Sequence, residues 1–352
     1  MDFGAISLPV MALSALFGYA VFFDINSVIF NKMNVPAALE YQGYKGDVVA
    51  ARLANDVRMI NQKARTVREL KEFELPDDQS AINELGEYFE FVTPIRATQQ
   101  LLGLTQYNFT GDIVKFGSGY RMQIRGAHIQ SNRSITAVED GDDPEDLIRR
   151  QAINAARFID PYVVASYFYE TTVDADSTDF TSTMKEIEHC LRVLPEDDIH
   201  WAYNLWGLTL LRQGKPDQAI ERFNNALTAE PNFILSVYNV GQAQLAKGDY
   251  DAAVANFKQT LKLDQTAGRT LRTPHAFTQW GVAMAAQNKP EEAIALFQRA
   301  LKVAPKFAQA HYEWGKVLQA QGKTAEAKGH FFSAYEFAPE RKAFRDAFNA
   351  MQ

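Results

Sequence analysis

DQAIERFNNALTAEP, from Asp217 to Pro231, returns in altered form as EEAIALFQRALKVAP (Glu291 to Pro305) and AEAKGHFFSAYEFAP (Ala325 to Pro339). Each copy sets an alanine (Ala219, Ala293, Ala327), an aromatic four residues on (Phe223, Phe297, Phe331), a second alanine and a closing proline. Positions three and four apart share one side of a helix, so each copy spells a helix with a small-large-small buried stripe. Proline ends it, since it lacks an N–H and cannot continue the turn. A stripe repeated in this way implies that each helix packs as the others do, in tandem.

Working outward, a second recurring set precedes each copy. It reads Tyr203, Trp206, Gly207, Leu210, then Val237, Val240, Gly241, Gln244, then Phe277, Trp280, Gly281, Met284, and last His311, Trp314, Gly315, Leu318. Gly207 to Gly241 and Gly281 to Gly315 are each 34 residues apart, and Gly241 to Gly281 is 40, so six residues are inserted near QTAGRT. The copy at Ala253, Phe257 and Thr260 has Gln265 in place of proline, which predicts a helix running on into the insertion. This 34-residue pattern resembles the tetratricopeptide repeat (TPR), whose signature is W-x2-L-G-x2-Y…A-x3-F…P. Gly and Ala fall where paired helices must touch, the Phe fills the gap to the next pair, and no pair buries its stripe alone. The resemblance implies an all-α TPR superhelix over 160–352: a degenerate repeat at 160–197 ending in Cys190 and Pro195, repeats from 200, 234, 274 and 308, and a cap helix at 340–352.

In this repeat family the first helices line a concave groove, and positions two, five, nine and twelve face it. Carried onto this chain, these are Trp201, Asn204, Leu208 and Leu211; Leu235, Tyr238, Gln242 and Leu245; His275, Thr278 and Val282; Gln309, Tyr312, Lys316 and Gln319. Asn239 falls at a position used by the family's clamp for a terminal carboxylate. Asn204 and Leu208 stand where that clamp needs Lys and Asn, so the clamp itself is not expected. Aromatic and amide groups without a block of charge suit an extended peptide or a partner helix. The resemblance therefore implies a scaffold that binds a protein or peptide partner, with no catalysis.

The first half reads differently, and the whole chain is α+β. KGDVVAARLANDVRMINQKARTV (Lys45 to Val67) is a predicted helix, Asp47 near its cap, with Val49, Leu53, Val57, Ile60 and Ala64 on one face. A loop over 68–85, a strand at Glu87 to Thr93 and a helix from Pro94 to Leu104 follow. Strands at Tyr107 to Val114, Tyr120 to Arg125 and Ser134 to Glu139 then form a meander, turned at FGSG. Asp143 caps a last helix that opens on Pro144. The result is a small α/β domain with an antiparallel sheet at 45–159, resembling the modules that precede repeat domains in bacterial envelope proteins.

Phe3 to Phe23 is 21 residues without a charge, enough for a helix to cross a hydrocarbon core of ~30 Å. A cleaved signal peptide would carry a basic start and a small-residue cleavage site, which are missing before Asp24. The expectation is an anchor at 1–30, a tether at 31–44, and a single-pass protein of a bacterial inner membrane, held to the membrane through residues 3–23. The side of its soluble part stays open: the envelope resemblance favours the periplasm, while Lys32 and Lys45 lean to the cytoplasm.

The net charge of -7 and the lack of a clustered basic surface exclude a nucleic-acid partner. One cysteine excludes a disulfide framework. No P-loop, nucleophile elbow or HExxH occurs, the six histidines are scattered, and no cofactor or metal is expected. Two alternatives stay open: a small domain that senses a ligand through Arg121, Gln123 and Arg125 and is coupled to the repeats, or an assembly chaperone or homo-oligomeric coat.

Overall fold

The computed structural model describes residues 28–66, 98, 106–268, 270 and 272–351. Two compact units divide between Glu186 and Ile187.

In the first unit, β1 (Val28–Phe30), β2 (Tyr107–Phe116), β3 (Gly119–His128) and β4 (Arg133–Gly141) form one sheet in that order. The meander is as read, with β2, β3 and β4 antiparallel and Ile124 paired to both Gly111 and Ala137. β1 lies parallel to β2, with Val28 opposite Tyr107. Two helices, α1 (Ala37–Glu40) and α2 (Gly46–Ala64), follow β1, while α3 (Pro144–Ile159), α4 (Pro161–Asp174) and α5 (Thr181–Val193) follow β4. Alternation sends Phe109, Ile113, Met122 and Ile124 to one face of the sheet. They share a core with Leu53 and Val57 of α2 and Leu147, Ile148 and Ala152 of α3. The Asp143 side chain accepts from Glu145 N at 3.0 Å, the cap expected from the sequence. Lys45, not Asp47, holds the cap position of α2.

Residues 31–44 are no tether. Asn31 N donates to Phe109 O (2.9 Å), Asn34 N donates to Gly111 O (3.0 Å), and Ile113 N donates to Asn34 O (2.8 Å). Met33 and Leu39 are buried in the same core. Three residues of strand are too short to show a period in sequence, and Val28–Phe30 fell within the anchor expected at 1–30. The unit also reaches past 159, because α4 packs against α2 and Arg157 of α3 holds Glu186 of α5 through two 2.8 Å bonds. The strand expected at Glu87 to Thr93 lies outside the described residues, as does the helix from Pro94 to Leu104 apart from Thr98.

The membrane placement is corrected. Among the described residues no helix is long and apolar enough to cross a membrane, and the single-pass assignment is withdrawn. Phe3 to Phe23 itself lies outside the described residues.

The second unit is helical. Its helices are α6 (Ile199–Arg212), α7 (Pro216–Ala229), α8 (Ile234–Lys247), α9 (Tyr250–Thr266), α10 (Thr273–Ala286), α11 (Pro290–Val303), α12 (Ala308–Ala320), α13 (Thr324–Phe337) and α14 (Lys342–Asn349). The helix pairs expected of the repeats from 200, 234, 274 and 308 are present: α6 on α7, α8 on α9, α10 on α11 and α12 on α13, each also touching the next. The pair expected of a degenerate repeat at 160–197 is not among them, since α4 packs on α2 and α3 instead. Phe223, Phe257, Phe297 and Phe331 are all fully buried. A Cβ added at Gly241, Gly281 or Gly315 would stand 2.7, 2.5 and 2.8 Å from the facing Phe ring, so glycine is what lets paired helices close. The helix without its proline runs on as expected: α9 has 17 residues where α7 and α11 have 14.

Candidate functional site

The candidate surface is built on the first helices of the repeats, α6, α8, α10 and α12. Successive first helices touch one another directly. A buried polar ladder fixes the first contact: Asn204 Oδ1 accepts from Ser236 Oγ at 3.0 Å and from Asn239 Nδ2 at 2.9 Å. Aromatic edges carry the next ones, Tyr238 to His275 (6.3 Å between centroids) and His275 to Phe307 (4.6 Å). At the end, Tyr312 packs on Phe344 of α14 (4.9 Å).

This geometry divides the sequence-predicted residues into two sets. Asn204, Leu235, Tyr238, Asn239 and Thr278 are buried and serve the stack itself, Thr278 Oγ1 donating back to Pro274 O (2.8 Å). Burial raises the Tyr238 phenol above its ordinary range. Trp201 and Tyr312 are half-buried, the first edge-on to Phe233 (4.8 Å) and the second beside Phe331 (5.9 Å). Leu208, Leu211, Gln242, Leu245, Val282, His275 and Gln309 keep part of their surface open, and Lys316 and Gln319 are exposed. What the face offers a ligand is therefore an aliphatic floor with amide and cationic edges, rather than a row of free aromatic rings.

Sequence reasoning missed one constellation. His311 and His330 are 19 residues apart, and the α12–α13 hairpin brings their Nδ1 atoms within 3.1 Å. His311 Nε2 lies 3.2 Å from Pro305 O, so it carries the proton there and its Nδ1 accepts from the Nδ1–H of His330. The His330 ring stacks on Trp314 at 4.0 Å. Burial first, then His311, lowers His330 to about 4; burial also lowers His311, against the pull of Pro305 O. Only the repeat register, which places the two at matching heights on paired helices, could have signalled the contact. Among the described residues no group of three or more side chains could hold a metal ion.

A pH dependence follows from this pair. Folding favours neutral His330, so its contribution is whole above the ordinary value of 6.5 and is lost as pH falls towards about 4. The melting temperature of the repeats should drop between neutral pH and about pH 4.5 by about 2–4 °C more than that of His330→Gln. Thermal scans of both proteins at the two pH values check this.

In the first unit, the polar face of β3 is committed across strands. Arg121 pairs with Asp140 (2.6 Å) and Arg125 with Asp112 (3.0 Å). A separate cleft of about 600 Å³ opens among α2, α3 and α4 beside Asp56, Met59, Lys63, Arg149 and Tyr167. Arg65 at its rim is held by Glu170 and Asp174.

Residues 233–306 and 278–341 match family models of the tetratricopeptide repeat, and the second unit carries TPR repeats. Among curated proteins, the chain is 28% identical over 87 residues to the peroxisomal targeting signal receptor of Saccharomyces cerevisiae, covering 25% of this chain and 14% of that one. It is 29% identical over 108 residues to tetratricopeptide repeat protein 36 of Bos taurus, covering 31% of this chain and 56% of that one. The chain thus spans a small part of the first and little more than half of the second. Among solved structures, a thermophilic TPR protein of Thermus thermophilus aligns with a TM-score of 0.46 at 18% identity, covering 54% of this chain and 96% of that one. A chain of the APC/C hetero-tetramer Cut9–Hcn1 gives a TM-score of 0.46 at 14% identity, over 58% of this chain and 39% of that one.

Proposed function

We propose that the chain is a non-catalytic scaffold whose repeats hold a segment of another polypeptide along the first helices. One observation carries this reading. Asn204, Ser236, Asn239 and Thr278 spend their polar groups on one another or on backbone beneath the surface, while Leu208, Leu211, Gln242, Leu245, Val282 and Lys316 on the same helices remain open in whole or part. A surface with an apolar floor and amide edges gains from covering by an extended or helical segment. One matched relative is named as a receptor for a targeting signal, which agrees with this reading in kind.

The test is site-directed photo-crosslinking in the full chain. A photoreactive phenylalanine analogue at Gln242 or Lys316 should trap one recurrent partner, whereas the same group at Gln259 or Gln298, exposed on second helices, should not. Equal trapping from both sets of positions would remove the assignment. Replacing Trp201, Tyr238 and Tyr312 by alanine is the poorer experiment, because all three rings also pack the stack.

A further inference from the structure

Among the described residues β4 pairs with β3 alone and forms one edge of the sheet. Phe109 O, Gly111 O and Ile113 N of β2 turn to the β1 side. Backbone groups alternate along an antiparallel ladder, so the unbroken register from β2 through β3 to β4 fixes the rest. Odd-numbered residues of β4 bond to β3, while Ser134, Thr136, Val138 and Asp140 turn their N–H and C=O groups outward. Arg150 of α3 donates to Asp140 O at 2.9 Å, from the side the alternation requires, and so closes that end. The free part of the edge runs from Ser134 to Val138, with Thr136 at its middle.

Sheet edges left in water are guarded by lysine, proline, a bulge or shortness. The opposite edge, β1, has only three residues. β4 has nine, in register with β3 and without a bulge, and SITAV from Ser134 to Val138 holds no charge, proline or glycine. Ser134 and Thr136 are exposed, and Val138 keeps 48% of its surface open. Its β-branched residues suit a further strand. Charges lie outside this stretch, with opposite signs at its two ends. Arg133 precedes it, donating to Phe158 O at 3.5 Å and over the Phe158 ring, with no acid beside it among the described residues. Glu139, Asp140 and Asp142 follow it. Arg150 holds Glu139 and Arg121 holds Asp140, but Asp142 is exposed with no ion pair among the described residues. A strand basic at its start and acidic at its end fits a copy of itself running the opposite way. A parallel copy would set acid beside acid.

We propose that two copies of the chain pair antiparallel through β4, about a two-fold axis at Thr136. Thr136 then faces its own counterpart, Ser134 faces the partner's Val138, and Arg133 faces the partner's Glu139. The outward residues exchange about six main-chain hydrogen bonds, and threonine against threonine is a favourable cross-strand pair. A single strand edge buries an area at the low end for a specific contact, so the dissociation constant should be on the order of 10 μM. The pairing does not depend on the groove reading. It would give each assembly two sets of repeats, and a ligand with two binding segments would gain by avidity.

Light scattering on the full chain between about 1 and about 100 μM should show the mass rising towards twice that of one chain. Thr136→Lys sets like charges together at the axis from an exposed position. It should weaken pairing at least about tenfold while the urea midpoint stays near that of the parent. Cys190, the one native cysteine, is buried, so thiols can be introduced singly. Paired Cα atoms about 5.5 Å apart suit a disulfide. Thr136→Cys should oxidise to a covalent dimer. Ser134→Cys and Val138→Cys should link to each other faster than either links to itself, and Thr110→Cys, exposed on β2, should not link. A single mass over the whole range would overturn the inference, as would a dimer that Thr136→Lys leaves unchanged. Equal linking through Thr110→Cys would do the same. Crosslinking of Thr136→Cys to a different polypeptide in cell extract, without the covalent dimer, would overturn it in favour of another protein's strand on this edge.

Discussion

Phe297→Ala is expected to cost the repeat unit about 3–5 kcal/mol, seen as a fall in the urea midpoint followed by circular dichroism. Phe297 is 0% exposed, and it lies against Gly281 of the partner helix so closely that an added Cβ there would meet its ring at 2.5 Å. The ring joins Ala293, Leu296, Ala300, Ala310 and Val317 in one cluster, so its loss opens a cavity touching both α10 and α12. Because each repeat leans only on its neighbours, damage in an interior pair should also weaken coupling along the stack. The unfolding transition should broaden as well as shift. Phe331, equally buried but followed only by α14, tests this: Phe331→Ala should fray the end and leave the main transition sharp. Gly281→Ala approaches the same contact from the other side and should cost about 1–3 kcal/mol, less when combined with Phe297→Leu, which removes part of the ring it meets.

The same contact explains what was legible in the sequence. Small and aromatic residues recur at fixed spacing because the helix pairs have one solution for closing on each other, and that solution leaves its mark at Gly207, Gly241, Gly281 and Gly315. The extended α9 was legible from a missing proline, since a helix lacking its terminator goes on until another signal stops it. The meander showed through alternation, with Met122 and Ile124 inward and Gln123 between them. β1 was not legible, because three residues bonded to a strand nearly eighty positions away have no period of their own. The groove was legible only in part. Repeat register tells which helix a residue rides on, but not whether the next helix comes near enough to cover it. Asn204, Tyr238 and Thr278 were covered, and Lys316 was left open.

Gln151→Glu should be the most damaging isosteric change in the first unit, lowering its stability by about 3–5 kcal/mol at neutral pH. Gln151 is 0% exposed on α3, and its Nε2 donates to Met122 O at 2.7 Å and Ala137 O at 3.1 Å, tying the helix to β3 and β4 together. Its Oε1 accepts from Asn154 Nδ2 at 3.2 Å. A carboxylate there would set an oxygen against two carbonyl oxygens, with burial and the acidic neighbour Glu139 both opposing ionisation. The introduced carboxyl would therefore stay protonated in the folded protein to a higher pH than in the unfolded chain. Its cost should be greatest at neutral pH and should shrink as pH falls through the folded value towards the ordinary carboxyl range. Gln151→Leu separates charge from the loss of two bonds. It keeps the volume, removes the donor, and should cost about 1–2 kcal/mol at every pH. Urea titrations of the three proteins at neutral and mildly acidic pH decide between these outcomes. Equal, pH-independent losses in Glu and Leu would mean that the amide's contacts with the sheet contribute packing alone, and that α3 is held by Leu147, Ile148 and Ala152 without it.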